Sequence, residues 1–292
     1  MSFKKITVVT PCFNSVKFIE DTILSILNQH YPALEYIIVD GGSNDGTVEI
    51  IRKYEKYLAY WVSEADAGMY HAIQKGFEKS TGEIMAWLNS DDIYHEKSLF
   101  IVNDIFNDNP DVDWITGIPS LYNKDGYCVK IIQGRNWSKS RFWLKDYKWI
   151  QQESVFWRRS LWCKSGEYVN TDYKYASDLE LWFRFFQYAN LYNVDTTLAG
   201  FRQHGSQLSL IHSKEYNKEA LQIYKSYPPS SAELPRFYSL KPFWQFRNFL
   251  INCDIAPARY LGMTLTKIID LFHRFPSRIG YNFESGLWEK SH

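Results

Sequence analysis

The chain has 292 residues, enough for one large domain or one domain with a substantial appendage. Its 45% apolar content supports a real core and excludes wholesale disorder, and its formal net charge of zero argues against a nucleic acid partner. The cysteines Cys12, Cys128, Cys163 and Cys253 are scattered without a Cys-x-x-Cys pair, which excludes a zinc pattern and a small disulfide framework. No signal peptide is visible, and no uninterrupted apolar run approaches the roughly 18 residues of a spanning helix, so a reduced cytoplasmic compartment is expected.

Residues 4–10 (KKITVVT) are β-branched and continuously apolar toward their end, as in a buried parallel strand. Pro11 is expected to stop it, with Asn14 or Ser15 capping a helix to about residue 29. Strand 35–39 ends at Asp40, and Gly41-Gly42 lead to a helix over roughly 47–57. A third strand near 59–63, a helix over 69–80 and a fourth strand at 83–88 follow, the last running into Asn89-Ser90-Asp91-Asp92. Alternation with short connections predicts an α/β fold with a mostly parallel central sheet flanked by helices. A helix near 95–107, strand-like stretches at 113–119 and 126–132, a short helix near 159–164, a helix opening at Asp178 and strands near 191–195 and 197–203 come next.

Ligands of parallel sheets sit beyond the carboxyl ends of the strands. Those ends here carry Thr10, Asp40, Glu64 and Asp91/Asp92, so three of four are acidic. Neither a Gly-x-Gly-x-x-Gly turn nor a Walker-type loop is present, which argues against dehydrogenases and P-loop enzymes. Carboxylates cannot bind a phosphate directly, but they can hold a hard cation that does, and Mg²⁺ or Mn²⁺ at Asp91-Asp92 would bridge to a diphosphate. The plainer reading of that pair is a cap on the helix near 95.

The runs TVVTPCFN (7–14), YIIVDGGSNDGT (36–47), SEADAGMYHAIQKGF (63–77) and TGEIMAWLNSDD (81–92) together resemble family 2 glycosyltransferases of the GT-A fold, particularly bacterial enzymes of O-antigen and surface polysaccharide synthesis. The resemblance covers about residues 4–210. It implies a GT-A catalytic domain over 1–212, with a nucleotide-binding half at about 1–92 and an acceptor half at 93–212. Residues 213–292 remain as a helical, aromatic and basic extension, with 11 Lys and Arg against 7 Asp and Glu.

By that resemblance Thr10 and Pro11 border the nucleotide, Asp40 bonds the base or ribose, and Asp66, Gly68 and Lys75 close over the nucleotide and diphosphate. Asp91 is expected near the ribose and Asp92 on the metal, while Asn89 stands where many relatives have an acidic residue. His204, in Arg202-Gln203-His204 with Ser206 and Ser209 behind it, resembles the family's Arg-x-His motif and is expected as an additional metal ligand. Gly41, Gly42 and Asn44-Asp45-Gly46-Thr47 read as turn and cap chemistry in either case.

Sugar transfer needs a base for the incoming hydroxyl. The resemblance places it in Ala176-Ser177-Asp178-Leu179-Glu180-Leu181-Trp182 and nominates Asp178, with Glu180 the competitor and Ser177 departing from the common acidic residue. The helix macrodipole is expected to lower the pKa there. Gln151, Gln152, Glu153 and Trp157 fall where relatives approach the acceptor, although Trp157 also reads as core.

The combined expectation is an inverting, metal-assisted transferase. It takes a nucleotide-sugar, a UDP-sugar above GDP- or dTDP-sugars, and a saccharide or lipid-linked saccharide acceptor. The competing readings are a nucleotidyltransferase, which PCFN after strand one fits poorly, and a non-catalytic nucleotide-sugar-binding protein. In the tail, Leu261, Leu265, Ile268 and Phe272 share a helix face accompanied by Arg259, Lys267, Arg274 and Arg278, so residues 241–292 offer either peripheral membrane contact or packing on the catalytic domain.

Overall fold

The computed structural model describes residues 2–132, 137–146, 150–205, 207, 211–272 and 278–291, with the backbone alone over 269–272. Ser206, Ser209 and Arg274 lie outside them.

The first half alternates as its patterning predicts: β1 (Ile6–Cys12), α1 (Ile19–Leu27), β2 (Leu34–Asp40), α2 (Thr47–Tyr54), β3 (Tyr60–Ser63), α3 (Met69–Lys79) and β4 (Ile84–Trp87). Then come β5 (Ile93–Tyr94), α4 (Ser98–Asp108), β6 (Trp114–Thr116), β7 (Ser120–Asn123), β8 (Cys128–Ile131), α5 (Lys139–Trp143), β9 (Val155–Arg158), α6 (Arg159–Lys164), α7 (Ser177–Phe185), β10 (Leu191–Val194) and β11 (Ala199–Gln203). The tail contributes α8 (Ser213–Ser226), α9 (Leu234–Asn252), α10 (Ala256–Phe272), β12 (Arg278–Asn282) and β13 (Leu287–Ser291).

Nine strands form the main sheet in the order β13-β12-β10-β6-β9-β4-β1-β2-β3, and four form a smaller sheet, β5-β11-β7-β8. β1 to β4 run parallel, whereas β9 lies antiparallel between β4 and β6. Alternation along β1 sends Ile6 and Val8 into the layer holding Ile19, Ile23 and Val102, and Val9 into the layer holding Ile73, Phe77, Leu181 and Trp182. Helix α3 crosses so close to β1 that a Cβ on Gly76 would lie 2.4 Å from Val9 Cγ1. Glycine is required there by space.

Pro11 does not end the first strand, which continues to Cys12. The ladder explains why. Leu88 N–H bonds Val9 O and Gly41 N–H bonds Cys12 O, so odd residues of β1 face β4 and even ones face β2. The β4 pairing stops at Val9↔Trp87, so Pro11 has no ladder bond to lose on that side. Asn14 and Ser15 do not supply a side-chain cap either: α1 starts at Ile19 without one. They tie loops together instead. Asn14 Oδ1 accepts from Asn44 N at 3.1 Å, and Ser15 Oγ lies 2.7 Å from Ser90 Oγ.

The last two strands depart from the helical reading of residues 213–292. Residues 278–291 form a β-hairpin whose first strand pairs parallel with β10 at Asn193↔Arg278 and Val194↔Ile279. Ile279 is buried, and Trp288 N–H donates to Asp108 Oδ2 at 2.9 Å. The extension is therefore helical over 213–272, and its end returns to complete the main sheet.

Candidate active site

The parallel register sets the rim. Cys12 stands opposite Asp40, and Asp40 opposite Ser63, so the ends of β1, β2 and β3 lie level, and the Asn89–Asp92 turn after β4 meets them through Ser15 and Ser90. The acidic strand ends gather on one edge, as expected.

Their carboxylates do different work. Asp40 is fully buried and bonded to its own loop and to the end of β3: Oδ2 accepts from Gly42 N at 3.1 Å, Ser43 N at 2.9 Å and Ser63 Oγ at 2.6 Å, and Oδ1 accepts from Ser43 Oγ. Thr10 and Pro11 are likewise inside, with Thr10 Oγ1 on Tyr36 Oη at 3.1 Å. Asp66 is partly exposed and accepts from Gly68 N at 2.7 Å; a Cβ on Gly41 would lie 3.1 Å from its Oδ2, so the β2 end and this loop touch. Gly68 starts α3 with φ of +123°, a conformation that favours glycine. Lys75 Nζ pairs with Glu64 Oε1 at 2.7 Å, a hydrogen bond that raises the ammonium's pKa and lowers the carboxyl's. Asp45 Oδ1 accepts from Thr47 N and Oγ1 at 3.1 and 2.6 Å, the structural role read for that turn.

The adjacent aspartates separate sharply. Asp92 is fully buried; its Oδ1 accepts from Arg202 N at 3.0 Å and its Oδ2 from Asn89 Nδ2 at 3.4 Å. Burial first, then the charges of Asp91 and Glu153, push its carboxyl well above the usual range. Asp91 is 28% exposed, and its Oδ2 lies 2.9 Å from His204 Nε2. The smaller sheet makes this meeting: β11 pairs antiparallel with β5 just after the Asp pair, which delivers Arg202 and His204 to it. His204 also packs on Phe18, with ring centroids 4.5 Å apart. The aspartate beside the histidine is thus Asp91, the one expected near the ribose.

Among the described residues, no group of three or more His, Cys, Asp and Glu side chains is placed to hold a metal alone. Asp91 and His204 do supply a carboxylate and an imidazole side by side, and the buried Asn89 Oδ1 has no hydrogen-bond partner among the described residues. That donor set suits a hard cation bound through one or two carboxylates and completed by substrate phosphates.

Asp178 stands near the start of α7 on the wall of a small open cleft, with Trp137, Asp146, Trp182, Phe183 and Tyr216 around it. Burial raises its carboxyl to about 6, although Leu179 N–H and the Tyr70 hydroxyl, 3.2 Å from Oδ1, pull the other way. Desolvation therefore outweighs the helix start, reversing the expected direction. Glu180 points inward: its Oε1 accepts from Arg184 Nε at 2.9 Å and Tyr227 Oη at 2.5 Å, and it is 1% exposed. It cannot serve an acceptor.

Several contributors escaped the sequence reading. Tyr70 bonds the candidate base. Glu219 of α8 accepts from Lys174 N, Tyr175 N and Ala176 N at 3.0, 2.9 and 2.9 Å, fixing the segment that leads into Asp178. No local pattern marks either one. Of the residues proposed near the acceptor, Trp157 is core, packed edge to face against Trp87 and Trp182. Gln151 and Gln152 bond Ser120 O and Trp87 O at 3.0 and 2.6 Å. Glu153 is buried, which raises its carboxyl to about 8.

Comparison with known proteins identifies the family and the fold. The poly-beta-1,6-N-acetyl-D-glucosamine synthase of Staphylococcus epidermidis is 30% identical over 128 residues, 43% of this chain and 31% of the synthase. The chain spans 65% of the length of an uncharacterised glycosyltransferase of Rickettsia prowazekii, to which it is 28% identical over 69% of its own length. Among solved structures, S. aureus TarS 1–349 in complex with UDP-GlcNAc superposes with a TM-score of 0.58 at 15% identity, covering 98% of this chain and 96% of that one. The mannosyltransferase PcManGT of Pyrobaculum calidifontis, in complex with GDP-Man and Mn²⁺, gives 0.59 at 17% identity, covering 94% and 89%. These likenesses show the GT-A fold. The family model described as "Glycosyl transferase family 2" matches residues 7–159, and the chain belongs to that family.

Proposed function

We propose that the protein is an inverting glycosyltransferase that moves a sugar from a nucleotide-sugar, a UDP-sugar first, to a hydroxyl of a saccharide acceptor in surface polysaccharide synthesis. The observation that carries this reading is the placement of the Asp91–His204 pair on the strand-end rim, together with the half-buried Asp178, whose carboxyl burial raises to about 6. The UDP-GlcNAc complex of TarS and the polysaccharide synthase among the relatives support the donor and pathway class.

In this reading the nucleotide lies along the loops after β1, β2 and β3, near Asp66, Gly68 and Lys75, with Thr10, Pro11 and Asp40 shaping the floor beneath it. Asp91 and His204 would hold a divalent cation, Mn²⁺ or Mg²⁺, which supplies Lewis-acid stabilisation of the charge developing on the diphosphate. Asp92 acts behind Asp91 by anchoring the turn to Arg202 N, a role different from the direct ligation first expected. Asp178 takes the proton of the acceptor hydroxyl as it attacks. With a value near 6 it is mostly ionised at neutral pH yet still basic, the compromise that general-base catalysis favours. A single in-line displacement then inverts the anomeric carbon. Trp137, half-buried on the cleft wall, suits the apolar face of a sugar ring. Peripheral contact of the C-terminal extension with a membrane, where a lipid-linked acceptor would lie, belongs to the same reading.

The test is turnover across a panel of UDP-, GDP- and dTDP-sugars with and without Mn²⁺, with product stereochemistry read by NMR. Metal-dependent release of nucleoside diphosphate and an inverted anomeric centre are expected. Release of pyrophosphate would identify a nucleotidyltransferase, and binding without turnover a non-catalytic protein.

A further inference from the structure

Helices α9 and α10 are joined by three residues and fold back on each other. A Cβ on Gly262 would lie 2.7 Å from Ile251 Cγ1, and Arg247 Nε donates to Thr266 Oγ1 at 2.9 Å, so the two backbones pack closely. One side of the pair is anchored to the catalytic body: Trp244 is buried with Leu144 and Leu265, and the Arg141 guanidinium lies 5.5 Å from the Trp244 ring.

The other side is apolar and open. On α9, Tyr238, Phe243, Phe246 and Phe249 are 52–65% exposed and lie on the arc opposite Trp244. On α10, Tyr260, Leu261 and Met263 are 53–74% exposed. A surface helix normally turns its polar face to water, and α9 is apolar on both sides. Cations accompany these side chains. Residues 234–272 hold Arg236, Lys241, Arg247, Arg259 and Lys267 against the acids Asp254 and Asp270. Lys241, Arg259 and Lys267 are exposed, and Arg259 and Lys267 lie within the free arc of α10 itself.

We propose that the α9–α10 pair is an interfacial foot that seats the protein on an anionic lipid surface, its aromatic side chains entering the headgroup boundary and its cations meeting lipid phosphates. Two features favour lipid over a second copy of the chain. An isologous dimer would bring two surfaces of the same positive excess face to face. Aromatic and aliphatic side chains mixed with Lys and Arg on one exposed helical face are the composition of segments that lie in a membrane interface. Among the described residues no helix is long and apolar enough to cross a membrane, so the contact is lateral. The hairpin 278–291 is paired into the main sheet, and the proposal concerns the two helices alone. The inference deepens the reading of the chain as a transferase with a membrane-borne acceptor.

The experiment is co-sedimentation of the full chain with phosphatidylcholine vesicles and with vesicles containing about a third phosphatidylglycerol, at low and high salt. Two variants accompany it, F246S/F249S/Y260S and K241E/R259E/K267E, each checked for unchanged thermal unfolding and unchanged donor binding. Binding is expected only with the anionic vesicles, weakened by salt, and lowered by roughly 100-fold or more in the charge-reversed variant. Absence of binding, equal binding to neutral vesicles, or a concentration-dependent dimer that the same substitutions abolish would each overturn the proposal. Donor turnover is measured separately, so failure here and failure of the transferase reading give different results.

Discussion

Replacing Asp178 by Asn tests the assignment of the base and separates catalysis from folding. With the Asp178 carboxyl at about 6, roughly nine tenths is ionised at pH 7. Asn keeps the shape and removes the base, so kcat is expected to fall by roughly 10²–10⁴ with little change in the KM for donor. Stability moves the other way. The folded-state value is raised above the usual 3.8, so the neutral form is favoured in the fold and its stabilisation fades as pH rises through about 6. At pH 8 the wild type therefore carries an ionisation cost of at most about 3 kcal/mol that the variant lacks. Thermal unfolding of D178N at pH 8 should occur at or above the wild-type temperature, and near or below it at pH 4. The wild-type kcat should rise with pH around an apparent value near 6. Activity within threefold of wild type, or a flat profile between pH 5 and 7.5, would refute the assignment.

Y70F removes a bond that favours the ionised base, so the kcat profile should shift to higher pH by about half a unit, with wild-type rates regained above pH 8. E219A leaves the amides of Lys174, Tyr175 and Ala176 without their carboxylate; a loss of about 1–3 kcal/mol in denaturant unfolding and a lowered kcat are expected. E180A leaves Arg184 buried without its partner and should cost about 3–5 kcal/mol of stability; a variant that unfolds like wild type would show that the pair is unimportant.

The α/β alternation and the acidic rim were legible because they are local: short apolar runs, glycine turns and strand-end carboxylates lie within a few residues of one another. The facing of Asp91 and Asp92 was not, because it is set by Arg202 N, 110 residues from Asp92, on a strand of the smaller sheet. The direction of the Asp178 shift escaped for a similar reason. The helix start is visible in sequence, while the burial that outweighs it comes from the packing around α7. Glu219 and the closing hairpin 278–291 act through partners far away in the chain, and their own segments read simply as charged or aromatic.

The central claim is that the rim binds a nucleoside diphosphate through a cation held by Asp91 and His204. Calorimetry of UDP with wild type and D91N, each with and without Mn²⁺, tests it most directly. The account predicts binding to wild type that requires Mn²⁺ and is lost in a folded D91N protein. UDP binding of equal strength in all four conditions, or in none of them, would contradict it.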